Sequence, residues 1–183
     1  MKKILLTLAL ATAFSAQAVE YTQVQTDKST IHFTYKQMGV AVDGQFRKFA
    51  SQITFDPAKP SAAKATFEVE LASVDTGAPE GDQEVAGKPW FNTRAFPTAR
   101  FVSGTVKPLG GNKVEVAGQL TIKGKTQDVV VPATFTPQGN SGVFDGSFTI
   151  RRADFSIGEG SWAKFDIVAN DVLIKFRITA NSK

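Results

Sequence analysis

His32 is the only histidine in the 183-residue chain, and there is no cysteine. A Ser-His-Asp triad could therefore form only around His32, and a metal site would have to be built mostly from carboxylates. His32 also falls on the polar row of an alternating segment, Thr30, His32 and Thr34 against Ile31, Phe33 and Tyr35, where a solvated or hydrogen-bonded imidazole is the simpler reading. Asp75, Glu80, Asp82 and Glu84 could pair as acid and base, but their spacing reads as no helix face and a solvated loop accounts for them. Arg151, Arg152 and Asp154 are the polar groups that an enzyme acting on a bound lipid would have to use. No glycine-rich phosphate loop precedes a helix. No catalytic residue and no metal-ligand set emerges from these residues, and no cofactor is implied.

The chemistry that is abundant is apolar. Val114, Val116, Leu120 and Ile122 alternate with Glu115, Gln119, Thr121 and Lys123, and after Lys123-Gly124-Lys125 the alternation resumes at Gln127, Val129 and Val131. That is a hairpin with one buried and one wet face. The pattern recurs at Ile31–Tyr35, Val40–Phe46, Phe49–Phe55, Ala65–Leu71, Ala99–Thr105, Phe144–Ile150 and Val172–Ile178, with a short lead-in strand expected at Val24 to Asp27. Ala99, Phe101, Ser103 and Thr105 are expected on one face. The rhythm breaks over residues 76–97, where Asp82 to Ala86 could form a helical turn and Trp90, Phe91 and Phe96 are too apolar for an ordinary loop. A second irregular segment, Asp154 to Lys164, carries Phe155, Ile157 and Trp162.

The expected fold is therefore all-β: an antiparallel, roughly eight-stranded barrel with a short helical or irregular insertion near residues 76–97. An immunoglobulin-like sandwich ranks below it, because the Cys-Trp-Cys spacing is absent. An outer-membrane barrel would reverse the pattern, but here the outer rows carry Glu68, Glu70, Glu115, Lys175 and Arg177 and no aromatic girdle recurs. With apolar side chains inside, the inner rows present Phe33, Phe46, Phe67, Phe101, Leu120, Phe148 and Phe176, interleaved with Gly44, Gly118 and Gly146. These rings either pack against each other or, spaced by glycines, leave an elongated gap suited to a chain-like apolar ligand. Trp90, Phe91, Phe155 and Trp162, from the two irregular segments, are candidates for the mouth of such a bore.

The N-terminus reads as a secretory signal peptide. Lys2 and Lys3 precede a short apolar run from Ile4 to Phe14, and Ala16-Gln17-Ala18 is a small-x-small cleavage site. The run is too short to span a bilayer. Cleavage after Ala18 leaves one domain, residues 19–183, expected in the periplasm and holding its fold without disulfides. Loss of the two leader lysines leaves 19 basic against 17 acidic residues, a net charge of +2. There is no run of Lys or Arg and no basic cluster interleaved with stacking aromatics, so nucleic acid is a poor candidate partner. A homodimer is compatible with the sequence, which does not decide the point.

Val42-Asp43-Gly44-Gln45-Phe46, Pro97-Thr98-Ala99-Arg100-Phe101, Gly118-Gln119-Leu120-Thr121-Ile122-Lys123-Gly124 and Arg152-Ala153-Asp154-Phe155-Ser156-Ile157-Gly158, in this order, closely resemble the YceI-like proteins. The resemblance spans essentially the whole chain after the leader. It implies an extended lipocalin-like barrel, exported to the periplasm, that holds an isoprenoid or related long-chain amphiphile non-covalently. Two departures stand out. The acidic-His-Leu sequence that many members carry in the mid-chain insertion is replaced by Gln83-Glu84-Val85-Ala86, and members often have Gly where Ser156 stands.

Overall fold

The computed structural model describes residues 19–183; the expected signal peptide lies outside the described residues. Eleven strands, β1 Tyr21–Val24, β2 Thr30–Gln37, β3 Val40–Phe46, β4 Phe49–Thr54, β5 Lys64–Glu70, β6 Val74–Asp75, β7 Thr98–Gly110, β8 Lys113–Ile122, β9 Lys125–Gln138, β10 Ser141–Arg151 and β11 Val168–Ser182, make one antiparallel sheet with a single α-helix, α1 Pro79–Ala86. The hydrogen-bonded order is β4-β5-β7-β8-β9-β10-β11-β2-β3-β6.

The two ends of that order are joined by the chain itself. β3 passes into β4 through Arg47 and Lys48, β5 passes into β6 through Leu71–Ser73, and the ladder carries on round the bend. Arg47 N–H donates to Ser73 O at 3.0 Å and Glu70 N–H to Lys48 O at 3.1 Å, while Ser73 Oγ accepts from Lys48 N–H and donates to Glu70 O. Counting β3/β4 and β5/β6 as two bent strands leaves eight staves in a curled, barrel-like sheet, with β1 as an extra piece. β1 pairs with β11 and exchanges two bonds, 2.9 and 3.1 Å, between Tyr21 and Phe55, which draws the seam shut at one end.

Two local predictions are corrected. The lead-in strand is Tyr21–Val24, and Thr26–Lys28 forms a 3-10 turn instead. In β7 the register shifts between Ser103 and Val106, so Val106 is buried and Thr105 faces out; an extra residue in a ladder reverses the parity of everything after it.

The drawn-in end of the barrel is solid. Phe135 lies 5.0 Å from Tyr21, 4.8 Å from Phe55 and 5.1 Å from Phe144 between ring centroids, and Phe55 and Phe144 meet edge to face at 5.0 Å. Ile178 and Ala180 beside them are wholly buried. Each such aromatic pair adds about 0.5–1.5 kcal/mol beyond area burial.

Candidate functional site

Above this packed cluster the same alternation encloses a cavity of about 520 Å³, whose lining runs from Phe55, Phe144 and Ile178 of the cluster to the capped end. That lies inside the range of roughly 300–1,000 Å³ typical of small-molecule sites. Phe33, Phe46, Phe67, Phe101, Leu120, Phe148 and Phe176 from the strands line it, together with Trp90, Phe91 and Trp162 from the irregular segments. Phe155 does not: it is 2 % exposed and packed inside the segment that caps the barrel. Phe46, Phe67, Phe101, Phe148 and Phe176 face inward but keep accessible surface, because what they face is the void.

The glycines have a different task from the one their spacing suggests. Gly44 pairs with Phe33 and Gly146 with Phe176, and in both pairs the ring lies where a glycine Cβ would be. The Phe101 ring does the same over Gly118, 2.7 Å from its would-be Cβ. The glycines are thus seats for rings on the neighbouring strand and not gaps for a ligand.

Two segments close the top. The first holds α1 and residues 87–97. The second, residues 152–168, is held by Arg152, which is 2 % exposed and has no carboxylate partner among the described residues. Its Nη1 donates to Ile157 O (2.8 Å) and Gly158 O (3.1 Å), its Nη2 to Trp162 O (2.8 Å), Lys164 O (3.0 Å) and Val168 O (2.9 Å), and its Nε to Ala169 O (3.2 Å). Gly158, at φ +79°, passes so close to the guanidinium that a Cβ there would collide with Nη1. The guanidinium faces the rings of Trp90 at 5.5 Å and Phe165 at 5.1 Å. Burial pushes its pKa below the usual arginine range. The carbonyl dipoles and ring faces supply the negative potential that a buried cation needs.

The two caps meet at Glu84. Its Oε1 accepts from Trp90 Nε1 at 3.2 Å and from Trp162 Nε1 at 2.8 Å, with the indoles 5.4 Å apart. Lys123, buried at the tip of the β8–β9 hairpin, donates from Nζ to Ser156 O and to the Glu159 carboxylate, both at 2.7 Å, and so ties the second cap to the sheet. Ser156 is in the left-handed region, φ 55° and ψ 36°, which explains why glycine suits this position.

Sequence reasoning missed the joint at Glu84. It placed the acidic residues of 75–84 on a loop, whereas Pro79 opens a helix that puts Glu80 and Glu84, one turn apart, at the cavity wall. The proline at the first helical position was the available signal. The polar lining is otherwise sparse: Gln37 and Thr76 stand near this end, and Lys64 lies beside Thr54 at the other. Arg151 and Asp154, weighed as polar actors, pair with each other at 3.4 Å on the surface and do not line the cavity. His32 is exposed on the outer face.

Solid at one end, stapled shut at the other and apolar between, the curled antiparallel sheet defines a lipocalin-like barrel. The chain belongs to the YceI-like family: the model described as "YceI-like domain" matches residues 22–180. Burkholderia cenocepacia BcnA, a solved structure, is 43 % identical and superposes with a TM-score of 0.85 over 87 % of this chain and 100 % of that one. A UPF0312 protein of Pseudomonas fluorescens is 35 % identical over 172 residues, 85 % of this chain and 87 % of the relative. A polyisoprenoid binding domain from Saccharophagus degradans superposes with a TM-score of 0.70 over 90 % of this chain and 99 % of that domain; at 16 % identity the likeness is one of fold alone.

Proposed function

We propose that this protein is an exported, periplasmic carrier that holds a long-chain isoprenoid or similar amphiphile in its barrel without covalent chemistry. The observation that carries the reading is the apolar cavity that runs from the packed rings at one end of the barrel to the caps at the other. Magnitudes favour a long chain. Each buried methylene contributes about 0.8 kcal/mol, so ten supply roughly 8 kcal/mol, within the ~4–15 kcal/mol that association costs, while twenty exceed it. Short acyl chains would therefore leave quickly.

The polar groups argue for an uncharged head. Glu80 and Glu84 face the cavity near the cap, and the N–H groups of Arg152 are engaged by backbone carbonyls. An alcohol or a quinone fits that inventory better than a phosphate does. No histidine or cysteine lines the cavity, and this reading assigns no catalytic role. The test is organic extraction and mass spectrometry of protein purified natively without detergent. A stoichiometric prenyl lipid is the expected result. A protein that yields none and also fails to take up long prenyl alcohols or a lipophilic fluorophore would refute the carrier reading.

A further inference from the structure

Large apolar side chains are left to solvent beside the capped end, and backbone pairing sets them together. Met38 and Val40 are 76 % and 67 % exposed, and Phe165 and Ile167 are 48 % and 43 % exposed. Met38 N–H donates to Ile167 O at 2.7 Å, and Gln37, next to Met38, pairs with both Val40 and Val168. Phe165 covers the outer face of the Arg152 staple. Leu109 and Val130, also exposed, stand elsewhere: Leu109 at the β7–β8 turn of the solid end, Val130 on the outer face of β9.

The patch is continuous with the cavity, because Gln37 and Val168, which line the cavity, adjoin Met38 and Ile167 in the chain, and Arg152, also in the lining, meets the Phe165 ring. Its flanking charges leave a net of only +1: Lys36 and Lys164 stand against Asp166, whose carboxylate accepts the N–H of Ile167 at 3.1 Å. A tip of four apolar side chains at the rim of an apolar bore, with little net charge, is the footprint of shallow insertion into a bilayer.

We propose that the β2–β3 tip and residues 165–167 form a membrane-docking surface, which seats the capped end of the barrel on a lipid bilayer while its ligand enters or leaves. The proposal rests on the carrier reading, since a ligand insoluble in water has to be exchanged with a membrane. Insertion is apolar in origin, so phosphatidylcholine vesicles and vesicles containing phosphatidylglycerol should both be bound, with weak dependence on salt.

The experiment is vesicle flotation of the mature protein beside Met38→Glu, Ile167→Glu and the control Val130→Glu. Circular dichroism reports folding, and uptake of a lipophilic fluorophore added from ethanol reports the cavity. The expected result is flotation of the wild type and of Val130→Glu, with vesicle partitioning lowered about tenfold or more in each of the other two variants and fluorophore uptake unchanged. A wild type that does not float, or variants that float as it does, would overturn the proposal. So would self-association or capture of a protein through the patch without vesicle binding. Failure of fluorophore uptake in the wild type would instead count against the carrier reading, so the two can be told apart.

Discussion

The barrel has two halves written in the same alphabet, and they come out differently. Both alternate apolar and polar residues on antiparallel strands, and both seat a phenylalanine over a cross-strand glycine: Phe135 over Gly142 in the solid half, Phe33 over Gly44 and Phe101 over Gly118 in the hollow one. The glycine seat is therefore not what makes the void. What differs is the seam. β1 reaches only the solid end, where Tyr21 bonds to Phe55 and four rings form one cluster around Phe135, which lies about 5 Å from each of the other three. At the hollow end the top is held by polar bonds instead. The core of the one half is carbon, and the closure of the other is hydrogen bonds.

Breaking that polar closure should have the largest effect. Arg152→Met strips six backbone carbonyls of their donor, and with hydrogen bonds to a charged group contributing ~1.5–3 kcal/mol each before relaxation and water entry, a net loss of about 3–5 kcal/mol is expected in denaturant unfolding. An unfolding free energy no lower than that of the surface variant Arg177→Ala would show that the cap is not held this way.

The next contrast is between the halves themselves. Phe135→Ala should cost about 3–5 kcal/mol, because it opens a cavity in a packed cluster. Phe148→Ala should cost roughly half as much, because one side of its ring already meets empty space, and it should loosen the grip on a prenyl chain. Equal losses would erase the distinction between a solid and a hollow half.

Glu84→Ala removes the acceptor shared by Trp90 and Trp162, and about 1–2 kcal/mol is expected to go with it. Faster release of bound fluorophore and a red-shifted tryptophan emission would mark the cap opening. Unchanged emission and release would mean that the two caps meet by packing alone.

The smallest effect concerns pH. Asp75, at the root of the first cap, is held below the usual carboxylate range by the Gln45 amide, then by the Gly77 N–H and by Arg47. A carboxyl with a depressed folded pKa adds stability that is fully present above its unfolded value near ~4 and is lost as pH falls through the folded value. Asp75→Asn should therefore lower stability slightly at neutral pH and flatten the acid limb of the melting profile below about pH 4. A variant with an unaltered acid limb would remove Asp75 from the account.

How much of this was legible in the sequence follows from the range of each signal. Alternation at Val172, Ile174, Phe176 and Ile178 reports a local period, and the terminal strand lies where it predicts it. The inner row of phenylalanines was likewise readable, and the cavity brings it together with Trp90, Phe91 and Trp162. What failed was whatever depends on a distant partner. The shift after Ser103 needs the pairing with β8 to be seen. The task of Gly44 needs Phe33 across the ladder, and that of Arg152 needs carbonyls up to 17 residues away. Arg152 looked like a polar group available for chemistry because a sequence shows a charge without showing what surrounds it.

The central claim is that the half away from β1 is hollow and takes a chain. A crystal structure of the mature protein, purified natively and never exposed to detergent, tests it most directly. The account predicts continuous elongated density along the barrel axis between Phe67 and Phe176, ending below Glu84 and stopping at Phe55 and Phe144. Rings of opposite walls in contact with each other, with no void between them, would contradict it.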